Sequence, residues 1–226
     1  MAKLINIDGI KVGNRLAIDQ LTIKSANFSA LIGPNGAGKS TLLTQLNQHL
    51  ISKFGASQVC WLEQRASPAW PISIGELVAL GRLPHKDRNK QAIDEALETM
   101  QLTDIRDRAF DQVSGGQQAR ALVARCLATK PKWLLLDEPL ASLDPGHQLH
   151  LLAHLKALSS EGVGVIIAMH DLALAAQHCD DAMVLNEGSL VASLPASQLL
   201  TSDIVGDVFN VSFDNNQMQL IDRTKY

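Results

Sequence analysis

The feature that most constrains the fold is residues 28–43, where an apolar segment, a glycine-rich loop and an apolar-periodic segment follow one another directly. Phe28–Ile32 predicts a buried β-strand, and the loop that follows it reads Gly33-x-x-x-x-Gly38-Lys39-Ser40. A helix is then predicted from Lys39 to about Ser52. This order predicts a phosphate-binding loop, because the glycines let successive backbone N–H groups point at one anion and the helix N-terminus adds partial positive charge.

The same loop carries the residues expected to hold a nucleotide. The Lys39 ammonium is suited to the β- and γ-phosphates of a nucleotide, and the Ser40 hydroxyl to Mg²⁺. The predicted nucleotide-binding residues of the loop are Gly33, Pro34, Asn35, Gly36, Ala37, Gly38, Lys39, Ser40 and Thr41. The alternative is a glycine turn that merely precedes a helix, and it requires the motif, the strand and the helix to coincide by chance.

Apolar runs on either side of the loop predict the rest of the fold. Residues 3–24 predict a small N-terminal antiparallel β subdomain, punctuated by turns at Asp8-Gly9 and Gly13-Asn14. Buried strands are predicted at Val59–Leu62, Trp133–Leu136 and Val163–Met169, helices at Gly146–Leu158 (with Leu149, Leu152, Leu155 and Leu158 in register) and Leu172–His178, and a hairpin of Ala182–Leu185 with Leu190–Ser193. Strands that alternate with helices predict an α/β fold, a P-loop NTPase core with a mostly parallel sheet.

A helical segment is predicted to interrupt this core. The prolines of Ser67–Pro71 indicate a linker, and helices are predicted after it at Gly75–Arg82, Lys90–Leu102 and Gln117–Thr129. The sequence therefore predicts one domain over residues 1–226, with a nucleotide-binding core of residues 1–70 and 121–226 and an inserted α-helical subdomain of residues 71–120.

Polar residues follow three of the predicted core strands, at the carboxyl ends where ligands bind in such sheets. Asp137 is placed as the carboxylate on the metal side, and Glu138 as the group that orients or deprotonates the attacking water. His170 can contact the γ-phosphate, and Gln64 is suited to Mg²⁺ or water. The predicted catalytic residues are thus Glu138, His170 and Gln64, and the predicted metal-binding residues are Ser40, Gln64 and Asp137. The alternatives are a charged pair that merely ends a strand and a structural histidine.

Residues Ser114, Gly115, Gly116 and Gln117 predict a second anion-binding nest, because a hydroxyl and two glycines stand at the start of a helix. This nest lies in the helical insert, from which one chain cannot easily fold it onto its own phosphate-binding loop. Two copies arranged head to tail could place each nest over the nucleotide of the other copy.

The motifs resemble, in order and spacing, those of ATP-binding-cassette (ABC) ATPases. They are Gly33–Thr41, Gln64, Val113–Gln117, Asp137–Glu138, Ser142–Asp144 and His170. The resemblance implies an ATPase that forms a nucleotide-sandwich homodimer, in which Ser114–Gln117 completes the partner's site. It also implies that Ser142–Asp144, the D-loop, crosses the interface so that Asp144 contributes to the nucleotide site, and that His170 is the switch histidine.

A narrower resemblance links the chain to importers of iron–siderophore complexes, haem and cobalamin. It is carried by Glu76–His85, which contains Gly81-Arg82-x-Pro84-His85, by His170–Ala176 and by Leu199–Phe209. It implies integral membrane permease partners, an indirect periplasmic binding protein and a peripheral place on the cytoplasmic face of the inner (plasma) membrane. No apolar run approaches the ~20 residues of a spanning helix, so the permease must be another chain. Trp70, flanked by prolines, is a candidate for the rim where a permease docks.

The sequence departs from the ABC pattern at three places. Gln64 follows Ser40 by only 24 positions, so much of a hairpin usual in the family is missing. Residues 10–15 contain no aromatic side chain to stack on adenine, which leaves Arg15 as a candidate. Ala119 replaces a residue that is often glutamine in the signature helix.

Composition bears on the alternative functions. The net charge of −3, from 20 basic and 23 acidic residues, gives no electrostatic case for a nucleic-acid partner. The three cysteines are far apart and predict free thiols of a reducing compartment. The first alternative to an importer subunit is a soluble ABC ATPase that acts on DNA or ribosomes. The second, which the shortened segment after Ser40 and the missing aromatic motivate, is a nucleotide-binding regulatory module with weak turnover.

Overall fold

The computed structural model of the chain describes residues 3–64, 68, 71–214 and 217–220. Trp70, and with it the predicted docking rim, lies outside the described residues. The strands are β1 (Leu4–Val12), β2 (Leu16–Lys24), β3 (Asn27–Ile32), β4 (Val59–Leu62), β5 (Trp133–Asp137), β6 (Gly164–Ala168), β7 (Asp181–Asn186), β8 (Ser189–Pro195), β9 (Val211–Asp214) and β10 (Gln217–Leu220). The α-helices are α1 (Lys39–Phe54), α2 (Ile74–Ala79), α3 (Lys90–Thr99), α4 (Gly115–Ala128), α5 (Pro145–Ser160), α6 (Leu172–His178) and α7 (Asp203–Phe209).

A central sheet in the order β4-β5-β6-β3-β7-β8 organises the described residues. Its first five strands are parallel, and β8 pairs antiparallel with β7. Alternate residues of the strands face two different layers. In β3, Phe28, Ala30 and Ile32 belong to the buried cluster that includes α5 and the helical insert, whereas Leu31 belongs to the cluster that includes α1 and the β1–β2 hairpin. Burial on both faces explains why the core strands are continuous apolar runs, and the predicted fold class is confirmed.

The N-terminal subdomain is a single hairpin of β1 and β2. The turn predicted at Asp8-Gly9 is wrong, because β1 continues through Gly9, whose positive φ of 64° is accommodated within the strand. The turn at Gly13-Asn14 joins the two strands. The two strands pair along their whole length, from Leu4 opposite Lys24 to Val12 opposite Leu16. This pairing therefore overrides the local turn signal at Asp8-Gly9.

Within the helical insert, the segment between residues 75 and 106 begins and ends side by side, at a neck formed by residues 72–75 and 106–110. Residues 72–75 pair with residues 106–110: the Phe110 N–H donates to Ile72 O (2.9 Å), and the Gly75 N–H donates to Arg106 O (2.7 Å). The helix predicted over Gly75–Arg82 is divided into α2 and a 3₁₀ helix at Leu80–His85, and α3 ends before Leu102. The subdomain boundary predicted after residue 120 falls inside the continuous helix α4.

The buried face of helix α5 matches the face that the leucine spacing predicts except at Leu149, and Leu158 is half-buried. Leu151, Leu152 and Leu155 are buried, whereas Leu149 is 47% exposed. Leucines occur on several sides of this helix, so the sheet beneath it determines which face is buried. Across the described residues, no helix has both the length and the apolar character needed to cross a bilayer.

Candidate nucleotide-binding and catalytic site

The loop between β3 and α1 requires glycine at two positions for physical reasons. A Cβ on Gly33 would lie 2.5 Å from the carbonyl oxygen of Leu185 in β7. Gly38 caps α1 at φ +101°, a conformation that side chains disfavour. The backbone therefore curls tightly at the N-terminus of α1, where the N–H groups of a helix favour an anion.

The Lys39 side chain lies inside this loop. Its ammonium group donates to the carbonyl oxygens of Gly33 (2.8 Å) and Pro34 (3.2 Å), and the residue is 6% exposed. Burial lowers the pKa of Lys39, although the nearby Glu138 and Asp137 carboxylates oppose the shift. The loop thus holds a compact cation against its own backbone, at the place where phosphates were predicted to bind.

A cavity of about 850 Å³ opens over the loop. The loop residues that line it are Asn35, Gly36, Gly38, Lys39, Ser40 and Thr41, and the residues from strand ends are Gln64, Glu138 and His170. The remaining predicted loop residues, Gly33, Pro34 and Ala37, shape the backbone beneath it. The carboxyl ends of β4, β5 and β6 thus bring together the side chains that the sequence placed there.

Glu138 is clamped between the other two predicted catalytic residues. Gln64 Nε2 donates to Glu138 Oε2 at 2.6 Å, and His170 Nε2 lies 2.5 Å from Glu138 Oε1. Glu138 also has a φ of +53°, which is uncommon for a residue with a side chain, and its N–H donates to Ala168 O at 3.1 Å. Strained backbone of this kind concentrates at functional sites. In Glu138 the strained backbone occurs together with a carboxylate whose two oxygens are both hydrogen-bonded.

The surroundings of Asp137 show whether this part of the site has the chemistry to bind Mg²⁺. The residue is 2% exposed, and its Oδ1 is buried without a hydrogen-bond partner in the described part of the chain. Burial raises the pKa of Asp137, the Ser40 hydroxyl opposes that shift, and Glu138 adds to it. An unsatisfied carboxylate oxygen beside a hydroxyl suits a hard cation that takes oxygen ligands. The chemistry of Ser40 and Asp137 therefore fits the ion that the sequence predicted.

The turn between β7 and β8 contributes to the site, although no sequence motif indicates it. Glu187 and Gly188 line the large cavity, together with Asn14 and Arg15 from the N-terminal hairpin. Gly188 donates its N–H to Ala37 O (3.1 Å), and its own carbonyl accepts from Ala17 N–H (2.8 Å). Glu187-Gly188 was predicted only as a hairpin turn. Its position after a parallel strand was the one signal that could have placed it at the ligand edge.

The predicted nest at Ser114–Gln117 does not line the cavity over the loop. Ser114 Oγ accepts from the Gln117 N–H (3.3 Å), and the Gln117 side chain accepts from the Ser114 N–H (3.0 Å), which is a capping box for α4. Gly115 lines a neighbouring cavity of about 410 Å³, which shares Gln64 and Glu138 with the first. Within one chain, the nest is thus separated from the phosphate-binding loop.

Asp144 acts locally as the N-cap of α5. Its carboxylate accepts from the His147 N–H (3.0 Å) and lies 2.7 Å from His147 Nδ1. These contacts hold the pKa of Asp144 below its ordinary value. Its nucleotide role stays a prediction that depends on the second copy.

The importer-like segment Glu76–His85 has a structural role in the insert. The Arg82 guanidinium, in a residue that is 5% exposed, donates to the carbonyls of Ala128 (3.0 Å) and Thr129 (3.3 Å) and pairs with Asp87 (2.7 Å). His85 Nε2 lies 2.9 Å from the Thr129 carbonyl. The segment therefore satisfies carbonyls at the C-terminus of α4.

The connection between α1 and β4 is short, because the hairpin usual in the family is missing there. Between the end of α1 and the start of β4 the chain makes one 3₁₀ turn, Ala56–Gln58. This connection explains how Gln64 follows Ser40 so closely while β4 still reaches the sheet edge beside β5.

The fold, the phosphate-binding loop and the held Glu138 carboxylate together define an α/β nucleotide-binding protein with a helical insert. Comparisons with known proteins identify its family. A family profile described as ABC transporter matches residues 16–141. The hemin import ATP-binding protein HmuV of Vibrio anguillarum is 35% identical, covering 90% of this chain and 88% of the relative. The ferric enterobactin transport ATP-binding protein FepC of Escherichia coli is 32% identical, covering 88% and 83%.

Solved structures agree at the level of the fold. One chain, from a structure described as a metal-chelate type ABC transporter in an inward-facing conformation, has a TM-score of 0.79 at 24% identity and covers 96% of this chain and 95% of its own. The ADP-bound ATP-binding cassette MJ1267 has a TM-score of 0.75 at 20% identity, with coverage of 92% and 98%. The chain belongs to the ABC transporter family, and the resemblance drawn from its motifs is confirmed.

Proposed function

We propose that the chain is the ATP-hydrolysing subunit of an ABC importer for a metal chelate, of the class formed by iron–siderophore complexes, haem and cobalamin. The names of the relatives, which describe hemin import and ferric enterobactin transport, support the substrate class. The observation that carries hydrolysis is the Glu138 carboxylate, held by Gln64 and His170 at the mouth of the loop cavity. The ATPase subunit of such an assembly does not contact the transported molecule, so the individual chelate is a property of other chains.

The positions of the side chains around the loop cavity indicate the role of each site residue. The N–H groups of Gly36–Thr41 and the Lys39 ammonium bind the phosphates, so Lys39 exchanges carbonyl partners for phosphate oxygens. Ser40, Asp137 and Gln64 would hold Mg²⁺, which neutralises phosphate charge when bound. Glu138 orients the attacking water and accepts its proton, and His170 fixes the carboxylate and reaches toward the γ-phosphate.

The assembly we propose is a head-to-tail homodimer in which Ser114–Gln117 and Asp144 of one copy complete the site of the other. Integral membrane permease subunits bind this dimer at the cytoplasmic face of the inner membrane, and a periplasmic binding protein acts through them. The separation of the nest from its own loop supports the dimer. The slightly negative net charge gives no support to a nucleic-acid partner.

Reconstitution tests this function. The chain is co-expressed with a candidate permease and binding protein, chosen from the genes beside its own, and the complex is reconstituted in vesicles. Uptake of ferric siderophore, haem and cobalamin is then measured with ATP. Uptake of one of them, lost in Glu138→Gln, is expected. ATP turnover without uptake of any of the three would contradict the substrate class. Absence of turnover with the permease present would favour the regulatory module, and stimulation by ribosomes or DNA would favour the other alternative.

A further inference from the structure

The turn that joins Glu138 to α5 is held by a side chain that the motifs do not include. In this turn, residues 139–143, the Leu143 N–H donates to Leu140 O at 3.1 Å. Ala141 and Ser142 line the 410 Å³ cavity together with Glu138, and Leu140 and Ala141 line a smaller cavity of about 160 Å³ that contains Glu138 and His170. Any displacement of the turn therefore changes the surroundings of Glu138 on two sides.

Gln148, the fourth residue of α5, holds this connecting turn in place. Its Nε2 donates to the carbonyl oxygens of both Leu140 and Leu143, each at 3.1 Å. Its own backbone is fixed, because the Gln148 N–H donates to Asp144 O at 2.9 Å. One half-buried amide group thus satisfies two carbonyls three residues apart, which restricts the orientation of the turn as well as its distance from the helix.

The loop before α4 is built in the same way, and the two loops meet. Gln118 Nε2 donates to the carbonyls of Phe110 (2.9 Å) and Val113 (3.4 Å). A Cβ on Gly116 would lie 3.4 Å from Ser142 O, so the nest and the D-loop are neighbours within one chain. Two glutamine amides therefore fix, from their own helices, the two segments that the proposed dimer presents to the partner's nucleotide.

We propose that Gln148 is a positioning residue for ATP hydrolysis, which holds the turn between Glu138 and Asp144 in the geometry needed for the chemical step. The proposal rests on the proposed ATPase function. Gln148 touches neither the phosphate-binding loop nor Lys39, so its loss affects turnover and leaves nucleotide affinity in place.

The test compares Gln148→Met with Gln91→Met in the purified full chain. Gln91 is an exposed helical glutamine that bonds Glu95 on α3 (2.8 Å), so its variant controls for the general effect of the substitution. Gln148→Met keeps a side chain of nearly the same length but removes the amide group that donates both hydrogen bonds. We expect kcat to fall about 10- to 100-fold, the range that small misplacements of catalytic groups produce, with KM for ATP within about twofold. Gln91→Met should leave both unchanged.

Amide hydrogen exchange of the peptide spanning residues 139–143 gives a readout that does not depend on turnover. Exchange should be faster in Gln148→Met than in the unmodified chain and in Gln91→Met. Unchanged exchange, unchanged kcat, or a KM that rises as much as kcat falls would overturn the proposal. An unmodified chain that lacks ATPase activity even with the permease present would instead contradict the proposed function, and the exchange measurement would still decide whether Gln148 anchors the turn.

Discussion

Replacement of Glu138 by glutamine tests the chemistry of the site most directly. The substitution preserves shape, but an amide has one acceptor oxygen where the carboxylate has two. Gln64 and His170 contact different oxygens of Glu138, at 2.6 and 2.5 Å, so one of the two contacts must reverse its donor and acceptor or be lost. The water also loses its base, and general-base catalysis contributes about 10²–10⁴-fold, or roughly 2.7–5.4 kcal/mol of activation free energy at 1.36 kcal/mol per factor of ten.

Phosphate release at saturating ATP measures this effect, and a filter or fluorescence titration measures ATP affinity. Turnover should fall by the stated factor, whereas affinity should be retained, because the loop that contains Lys39 is unchanged. ATP should also trap a dimer. Glu98→Gln, an equal change of charge on the exposed side of α3, serves as the control. Turnover of Glu138→Gln within about tenfold of the unmodified chain would refute the assignment of Glu138 as the base.

The remaining predictions concern affinity, specificity, the dimer and stability. Lys39→Ala should weaken ATP binding, and an unchanged dissociation constant would count against the loop assignment. GTP should compete with ATP within about tenfold, because base stacking on an aromatic, worth ~1–3 kcal/mol, is missing near Arg15; a hundredfold preference in a competition titration would point to another base contact. Ser114→Arg should bind ATP as a folded monomer but neither dimerise nor turn over, and equimolar mixing with Lys39→Ala should restore some activity; full activity of Ser114→Arg alone would exclude the trans-acting nest. Gly81→Ala should lower the unfolding free energy by about 1–3 kcal/mol in thermal or urea melts, because the added Cβ would lie 2.1 Å from Arg125 O. Gly115→Ala is the matched control, because its added Cβ would meet nothing within 4 Å.

The arrangement of the site could be predicted largely because it depends on topology. Apolar runs that alternate with helices predict parallel strands, and parallel strands place their carboxyl ends at one edge. Gln64, Asp137 and His170 each follow such a strand, so their proximity required no knowledge of side-chain packing. The loop at Gly33–Ser40 could be predicted because its glycines have a local backbone function.

Features decided by tertiary contacts could not be predicted. Leu149 has the same spacing as the buried leucines of α5, and the packing surface alone determines that it is exposed. Glu187 carries no motif, and it reaches the cavity because the β7–β8 turn packs against Ala37. The clamp on Glu138 depends on side-chain distances that strand ends do not specify.

The neck of the helical insert has a consequence for engineering. Because residues 72–75 pair with residues 106–110, the two ends of the intervening segment lie side by side, and the central sheet does not pass through it. A segment from a relative could be exchanged between these points without a new loop geometry at either junction. The exchanged piece must keep the apolar residues of α2 that face α4, Leu77 and Val78, and glycine at position 81. Chimeras with junctions at the neck would thus separate the contribution of the insert from that of the nucleotide site.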